Sequence, residues 1–204
     1  MQLVGMLDSP YVRRVAITMK LLGLPFEHRN LSVFRDFDAF RAINPAVKAP
    51  TLVCDDGTVL MDSTLVVDYL ETLVPPEKRL MPAGGDDRRE ALRLIGLALA
   101  AADKCVTLVY ERDKRPADKR HEPWFERSLG QALASFAALE EAAGRASPWL
   151  MGERFNAADV AVAVAWRFSQ FYHAELVPAW KHPMLARYSM AAEARPEFAS
   201  TPLD

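Results

Sequence analysis

The sequence predicts two unlike parts: a small α/β domain over residues 1–77 and an all-helical domain over residues 88–204. Three observations carry this. Strand-like apolar runs are confined to the first 61 residues. The segment from Pro75 to Asp87 holds three prolines and two glycines, a composition that connects domains, and residues 78–87 form the linker. After it, apolar residues recur only with helical spacing.

Each element follows from its local pattern. Residues 2–7 read as a buried strand. Pro10 suits a first helical turn, and Val12, Val15, Ala16, Met19 and Leu22 continue with helical spacing until Gly23. Phe26 to Asn30 reads as a second strand. Residues 35–43 form a short helix that ends before Asn44-Pro45. Residues 51–54 and 58–61 flank Asp56-Gly57, a strong hairpin signal, and Pro50 stands at a strand start, where no ladder bond is lost. A helix over 63–73 turns Leu65, Val66, Tyr69, Leu70 and Leu73 to one side. Further helices are expected over 87–114, 123–144, 157–173 and 183–194. The third of these opens at Asn156, with Asp159 placed to complete a capping box. The order β-α-β, α, β-β-α is that of a thioredoxin-like fold.

Composition excludes several function classes. Net charge is −2, and acidic and basic residues balance in both parts: 9 basic and 10 acidic in 1–80, 16 and 17 in 81–204. Nothing favours nucleic acid or an anionic membrane surface as a partner. The basic cluster from Arg112 to Arg120 is broken by Asp113, Pro116 and Asp118 and reads as a solvated loop. No run approaches the roughly 18 apolar residues of a membrane span. The chain opens on a strand-like run with no basic leader, so a cytoplasmic location is expected. Cys54 and Cys105 lie far apart in apolar contexts, and the four histidines have no metal-ligand spacing, so neither a disulfide framework nor a metal is expected.

The most informative stretch runs from Lys48-Ala49-Pro50-Thr51 to Asp62-Ser63. Asp62 and Ser63 stand where a helix leaves its first N–H groups unpaired, which makes both a cap and an anion site. Ser9-Pro10-Tyr11 occupies a second strand-to-helix junction. On the residues alone, simple capping is the plainer explanation of Asp62-Ser63 and an open alternative for Ser9.

Asn44-Pro45-x-x-Lys48-Ala49-Pro50-Thr51-Leu52, Asp62-Ser63, Leu80-Met81-Pro82 and the Asn156 to Asp159 cap, in this order and spacing, resemble the glutathione S-transferase family. Ser9-Pro10-Tyr11-Val12-Arg13-Arg14-Val15 is most similar to serine-type bacterial members of the tau/zeta-like group. Asn156 stands where the family usually has Ser or Thr. The resemblance implies a cis bond before Pro50, with Ala49 pairing its backbone to the cysteinyl part of glutathione. It implies Ser63 and Asp62 at the γ-glutamyl end, Lys48 at the glycine carboxylate with Arg35 assisting, and Ser9 as donor to the thiolate. A second-substrate pocket is expected between the domains, with Tyr11, Cys105, Leu108 and Tyr172 as candidate walls. The implied activity is conjugation of glutathione, as co-substrate, to a small electrophilic apolar molecule by a homodimer. A glutathione-dependent isomerase, peroxidase or ether-cleaving enzyme, or a non-catalytic binding module, are the alternatives on the same fold.

Overall fold

The computed structural model describes residues 1–203. The chain divides into two compact units. The first comprises Met1–Leu80 together with residues from Ala194 on, and the second comprises Met81–Glu193.

The first unit is built on a four-stranded sheet in the order β2-β1-β3-β4, from β1 (Gln2–Val4), β2 (Glu27–Arg29), β3 (Thr51–Val53) and β4 (Val59–Met61). β1 runs parallel to β2 and antiparallel to β3, and β3 is antiparallel to β4. Leu3, Val4 and Leu52 are fully buried beneath α1 (Pro10–Leu21) and α3 (Ser63–Thr72), which contribute Val12, Val15, Ile17, Met19, Val66 and Leu70 to the same core. α2 (Phe37–Ile43) buries Phe40 alone. It begins two residues later than the sequence suggests, because the Ser32 hydroxyl takes the N–H groups of Phe34 and Arg35 in a turn that precedes the helix. β1 stops at Val4, short of the predicted 2–7, because Gly5 has a φ of 138°.

The second unit contains α4 (Gly85–Asp113), α5 (Glu122–Gly144), α6 (Ala157–His173) and α7 (Pro183–Glu193). α6 is buried nearly all round, from Ala157 through Trp166. Its start is fixed by a complete capping box. Asn156 Oδ1 accepts the Ala158 N–H at 2.8 Å, and Asp159 Oδ2 accepts the Asn156 N–H at 2.8 Å. Asp159 is fully buried, and its Oδ1 also takes the Leu150 N–H at 3.0 Å and the Tyr188 hydroxyl at 2.7 Å. At the α4–α5 connection, the buried Glu111 carboxylate receives the His121 N–H and Arg115 Nε, which together hold it below the ordinary carboxylate range.

One element is absent from the sequence reading. α8 (Pro196–Ala199) packs on α1 of the first unit, whereas the sequence pattern places residues 88–204 in one helical domain. The reason is long-range. Arg13 is buried and donates Nε to the Thr201 carbonyl at 2.8 Å, its guanidinium lies 5.6 Å from the ring centre of the fully buried Phe198, and Lys20 Nζ reaches the Ser200 carbonyl at 2.9 Å. Burying the Phe198 ring contributes about 1.5–3 kcal/mol of apolar stabilisation.

Candidate functional site

Strand register gathers the residues singled out from the sequence. Val4 pairs with Thr51, and Thr51 pairs with Met61. β3 is antiparallel to both neighbours, so the residue after β1 (Gly5), the residue before β3 (Pro50) and the residue after β4 (Asp62) share one end of the sheet. α1 begins from the same end.

At this end Gly5 is required by space. A Cβ there would stand 2.6 Å from Val12 Cγ2 and 3.1 Å from the Ala49 Cβ. His28 Nε2 bonds the Gly5 carbonyl at 2.8 Å. Ser9 is the N-cap of α1, with Oγ accepting the Val12 N–H at 3.4 Å, and Pro10 follows in the first turn. A hydroxyl has one donor and two acceptor sites, so this cap leaves the Ser9 O–H free to donate.

The loop before β3 is braced by short polar contacts. Asn44 Oδ1 accepts the Ala46 N–H, Asn44 Nδ2 donates to Thr51 Oγ1 at 2.8 Å, and the Thr51 hydroxyl donates to the Lys48 carbonyl at 2.7 Å. The Ala49–Pro50 bond is cis. The N–H and carbonyl of Ala49 make no hydrogen bond among the described residues. Lys48 is exposed. Arg35 is exposed too, with its guanidinium 3.8 Å from Asp36 Oδ2.

Asp62 has a φ of 71° and caps α3 through the Thr64 N–H at 2.9 Å. Ser63 is buried, and behind it lies Arg14, which enters the sequence analysis only as part of the Ser9 to Val15 run. Arg14 is itself buried, and one of its guanidinium nitrogens donates to Ser63 Oγ and to Thr64 Oγ1, each at 3.1 Å. Burial pulls its pKa down to about 10, with the Asp62 charge opposing the shift. The only sequence signal was an arginine pair inside an apolar helical run.

The expected pocket residues fare differently. Cys105 and Leu108 have no exposed surface, so neither wall contacts a solute. The Cys105 thiol is pushed up to about 12 by burial and is unreactive. Tyr11 and Tyr172 are half-buried. No group of three or more His, Cys, Asp or Glu among the described residues is arranged to hold a metal. No described helix is long and apolar enough to cross a membrane.

A thioredoxin-like unit with a cis-proline before β3 and a capped Asp-Ser helix start, together with an all-helical unit, defines a two-domain protein of the glutathione-transferase type. The chain belongs to the glutathione S-transferase family. Residues 3–78 match the model of its N-terminal domain, and residues 122–190 match that of its C-terminal domain. A glutathione S-transferase of Methylobacterium radiotolerans, solved in complex with glutathione sulfonate, is 30% identical, covers 98% of this chain and 93% of its own, and superposes with a TM-score of 0.90. A glutathione transferase family member of Pseudomonas fluorescens, solved with bound glutathione, is 29% identical over 100% of this chain and 98% of its own, with a TM-score of 0.85. The maleylacetoacetate isomerase of Pseudomonas aeruginosa is 28% identical over 91% of this chain and 87% of its own length.

Proposed function

We propose that the first unit binds reduced glutathione and that the protein transfers its sulfur to a small electrophilic, largely apolar molecule. The observation that carries this reading is the unpaired backbone of Ala49 beside the Asp62-Ser63 helix start, at the sheet end where α1 also begins. An extended cysteinyl segment pairs with such a backbone as an added strand does. The γ-glutamyl carboxylate suits the N–H and hydroxyl of Ser63 at the positive end of α3, and Asp62 retains a carboxylate oxygen for the ammonium. Lys48 serves the glycine carboxylate as a flexible point charge, with Arg35 as a secondary contact. A free thiol has a pKa near 8.5, so the Ser9 hydroxyl and the α1 N-terminus act by favouring the thiolate. Tyr11, half-buried in the first turn of α1, supplies a polar edge for the second substrate. Exposed Val59 and Met61 on β4 and Leu65 on α3 support a homodimer, and two buried free cysteines fit a reducing cytoplasm.

Calorimetry with glutathione and S-methylglutathione tests the reading. Both should bind, and only the thiol form should release a proton. Failure of both to bind would remove the transferase reading. For Ser63→Ala, glutathione affinity should fall by about 1–3 kcal/mol, and an unchanged titration would defeat the carboxylate assignment. For Ser9→Ala, turnover should fall roughly 10- to 100-fold with near-normal glutathione binding, the equivalent of one hydrogen bond to a charged sulfur. Equal turnover would take Ser9 out of the mechanism.

The likeness to the maleylacetoacetate isomerase favours a second reading, glutathione-dependent isomerisation. The two separate on one measurement, because conjugation consumes glutathione mole for mole and isomerisation returns it.

A further inference from the structure

We propose that His28 is a positioning residue: by donating to the Gly5 carbonyl, it fixes the turn that presents the Ser9 hydroxyl to a bound thiol. This rests on the first unit binding glutathione with its sulfur at the start of α1.

β1 loses its ladder where it leaves the sheet. Its last paired residue on the β2 side is Val4, opposite Arg29, and the Gly5 N–H still reaches the Arg29 carbonyl at 3.0 Å. In a continuing parallel ladder, the Leu31 N–H would next meet the Gly5 carbonyl. It turns back onto the Arg29 carbonyl instead, also at 3.0 Å. The Gly5 carbonyl therefore takes no backbone N–H among the described residues. The half-buried His28 ring stands in for that donor, with Nε2 at 2.8 Å. A carbonyl only accepts, so Nε2 carries the hydrogen, and the charged ring donates there as the neutral one does.

This bond holds the route to Ser9. The Ser9 N–H closes a turn on the Met6 carbonyl at 3.2 Å, so residues 6–9 follow the Gly5–Met6 peptide. Gly5 has little room to adjust, because Val12 of α1 and Ala49 of the cis-proline loop crowd it. From the helix side, the Ser9 side chain is held loosely. Its cap bond to the Val12 N–H is 3.4 Å, longer than the roughly 2.7–3.2 Å of an ordinary bond. A hydroxyl's bond to a sulfur anion weakens steeply as its angle falls, so a small rotation of the turn removes much of its effect. His28 thus acts on the sulfur through Gly5 and the turn, from a strand that contributes no other residue singled out for the site.

The test follows glutathione bound to the full chain, reading its thiolate by ultraviolet absorbance across pH. Calorimetry with S-methylglutathione serves as the reference for binding alone. His28→Leu, which keeps bulk but has no donor, should cut the thiolate fraction about 3- to 10-fold at pH values below the parent's midpoint. Its affinity for S-methylglutathione should stay within about twofold of the parent's. His28→Gln places an amide N–H near the position of Nε2 and should restore most of the thiolate. Glutamine also lacks the ring's charge, so this recovery separates the hydrogen bond from an electrostatic effect of the imidazole. Thermal unfolding by circular dichroism checks that each variant folds. If His28→Leu does not, His28→Asn carries the comparison, because its shorter amide stops near Nδ1 and falls short of the Gly5 carbonyl. An unchanged thiolate fraction would overturn the proposal. So would an equal loss in the leucine and glutamine variants, or a loss of S-methylglutathione affinity with the thiolate unchanged, which would make His28 merely structural. If the parent binds neither ligand, or its bound thiol titrates like free glutathione, the thiolate reading itself falls. If the parent forms the thiolate and the variants match it, only the His28 proposal falls.

Discussion

Replacing Asp159 with alanine is expected to destabilise the helical unit by roughly 3 kcal/mol or more, because several buried donors lose their acceptor at once. The carboxylate is fully buried and receives three donors: the Asn156 and Leu150 N–H groups and the Tyr188 hydroxyl. Truncation leaves all three facing a void, and each buried unsatisfied donor costs about 1–3 kcal/mol. The loss is concentrated because this one side chain closes the capping box of α6, holds the segment before it at Leu150 and ties α7 through Tyr188. Asp159→Asn keeps the shape but loses charge and presents donors to donors, so it should fall between parent and alanine. Urea unfolding followed by helical circular dichroism measures the effect. A change under about 1 kcal/mol would mean that the network is slack.

Gly5→Ala is expected to cost about 2–6 kcal/mol and to weaken glutathione binding as well. Two terms add. A φ of 138° strains any L side chain by about 1–3 kcal/mol. The new methyl also stands 2.6 Å from Val12 Cγ2, which is fully buried and stiff at χ1, and overpacking of this kind costs about 1–3 kcal/mol. The second contact, 3.1 Å from Ala49 Cβ, carries the disturbance into the loop whose backbone is proposed to pair with glutathione. The double variant Gly5→Ala, Val12→Ala removes the clash but not the dihedral strain. Relative to Val12→Ala alone, the glycine substitution should then cost only the first term. Full additivity of the two changes would show that the methyl never met Val12.

Most of the first unit was legible because its signals are local. Asp56-Gly57 between apolar runs marks the hairpin of β3 and β4, Pro10 marks the start of α1, and Asn156 with Asp159 marks the start of α6. The positions of Ser9, Ala49-Pro50, Asp62 and Ser63 were legible as junction residues, and strand register gathers them at one sheet end. What escaped depends on partners distant in sequence. Arg14 finds Ser63 49 residues away, and Arg13 finds Thr201 188 residues away. Nothing near either arginine announces burial. Helical spacing gives the faces of α4 without saying which face meets solvent, so the expectation of pocket walls at Cys105 and Leu108 has no local check, and both side chains are fully buried.

The clasp of residues 194–203 on α1 makes the N-terminal unit depend on the last stretch of chain to be synthesised. Domains ordinarily mature from the N-terminus as they are synthesised. Here the helical unit is contiguous from Met81 to Glu193, while the α/β unit lacks Phe198 and the Thr201 carbonyl until synthesis has passed them. Through that interval, the Arg13 guanidinium and the back of α1 have no cover from α8. Arrested chains ending at 193 should hold a protease-resistant helical unit and a protease-sensitive α/β unit. Equal resistance of the two would show that the clasp is dispensable.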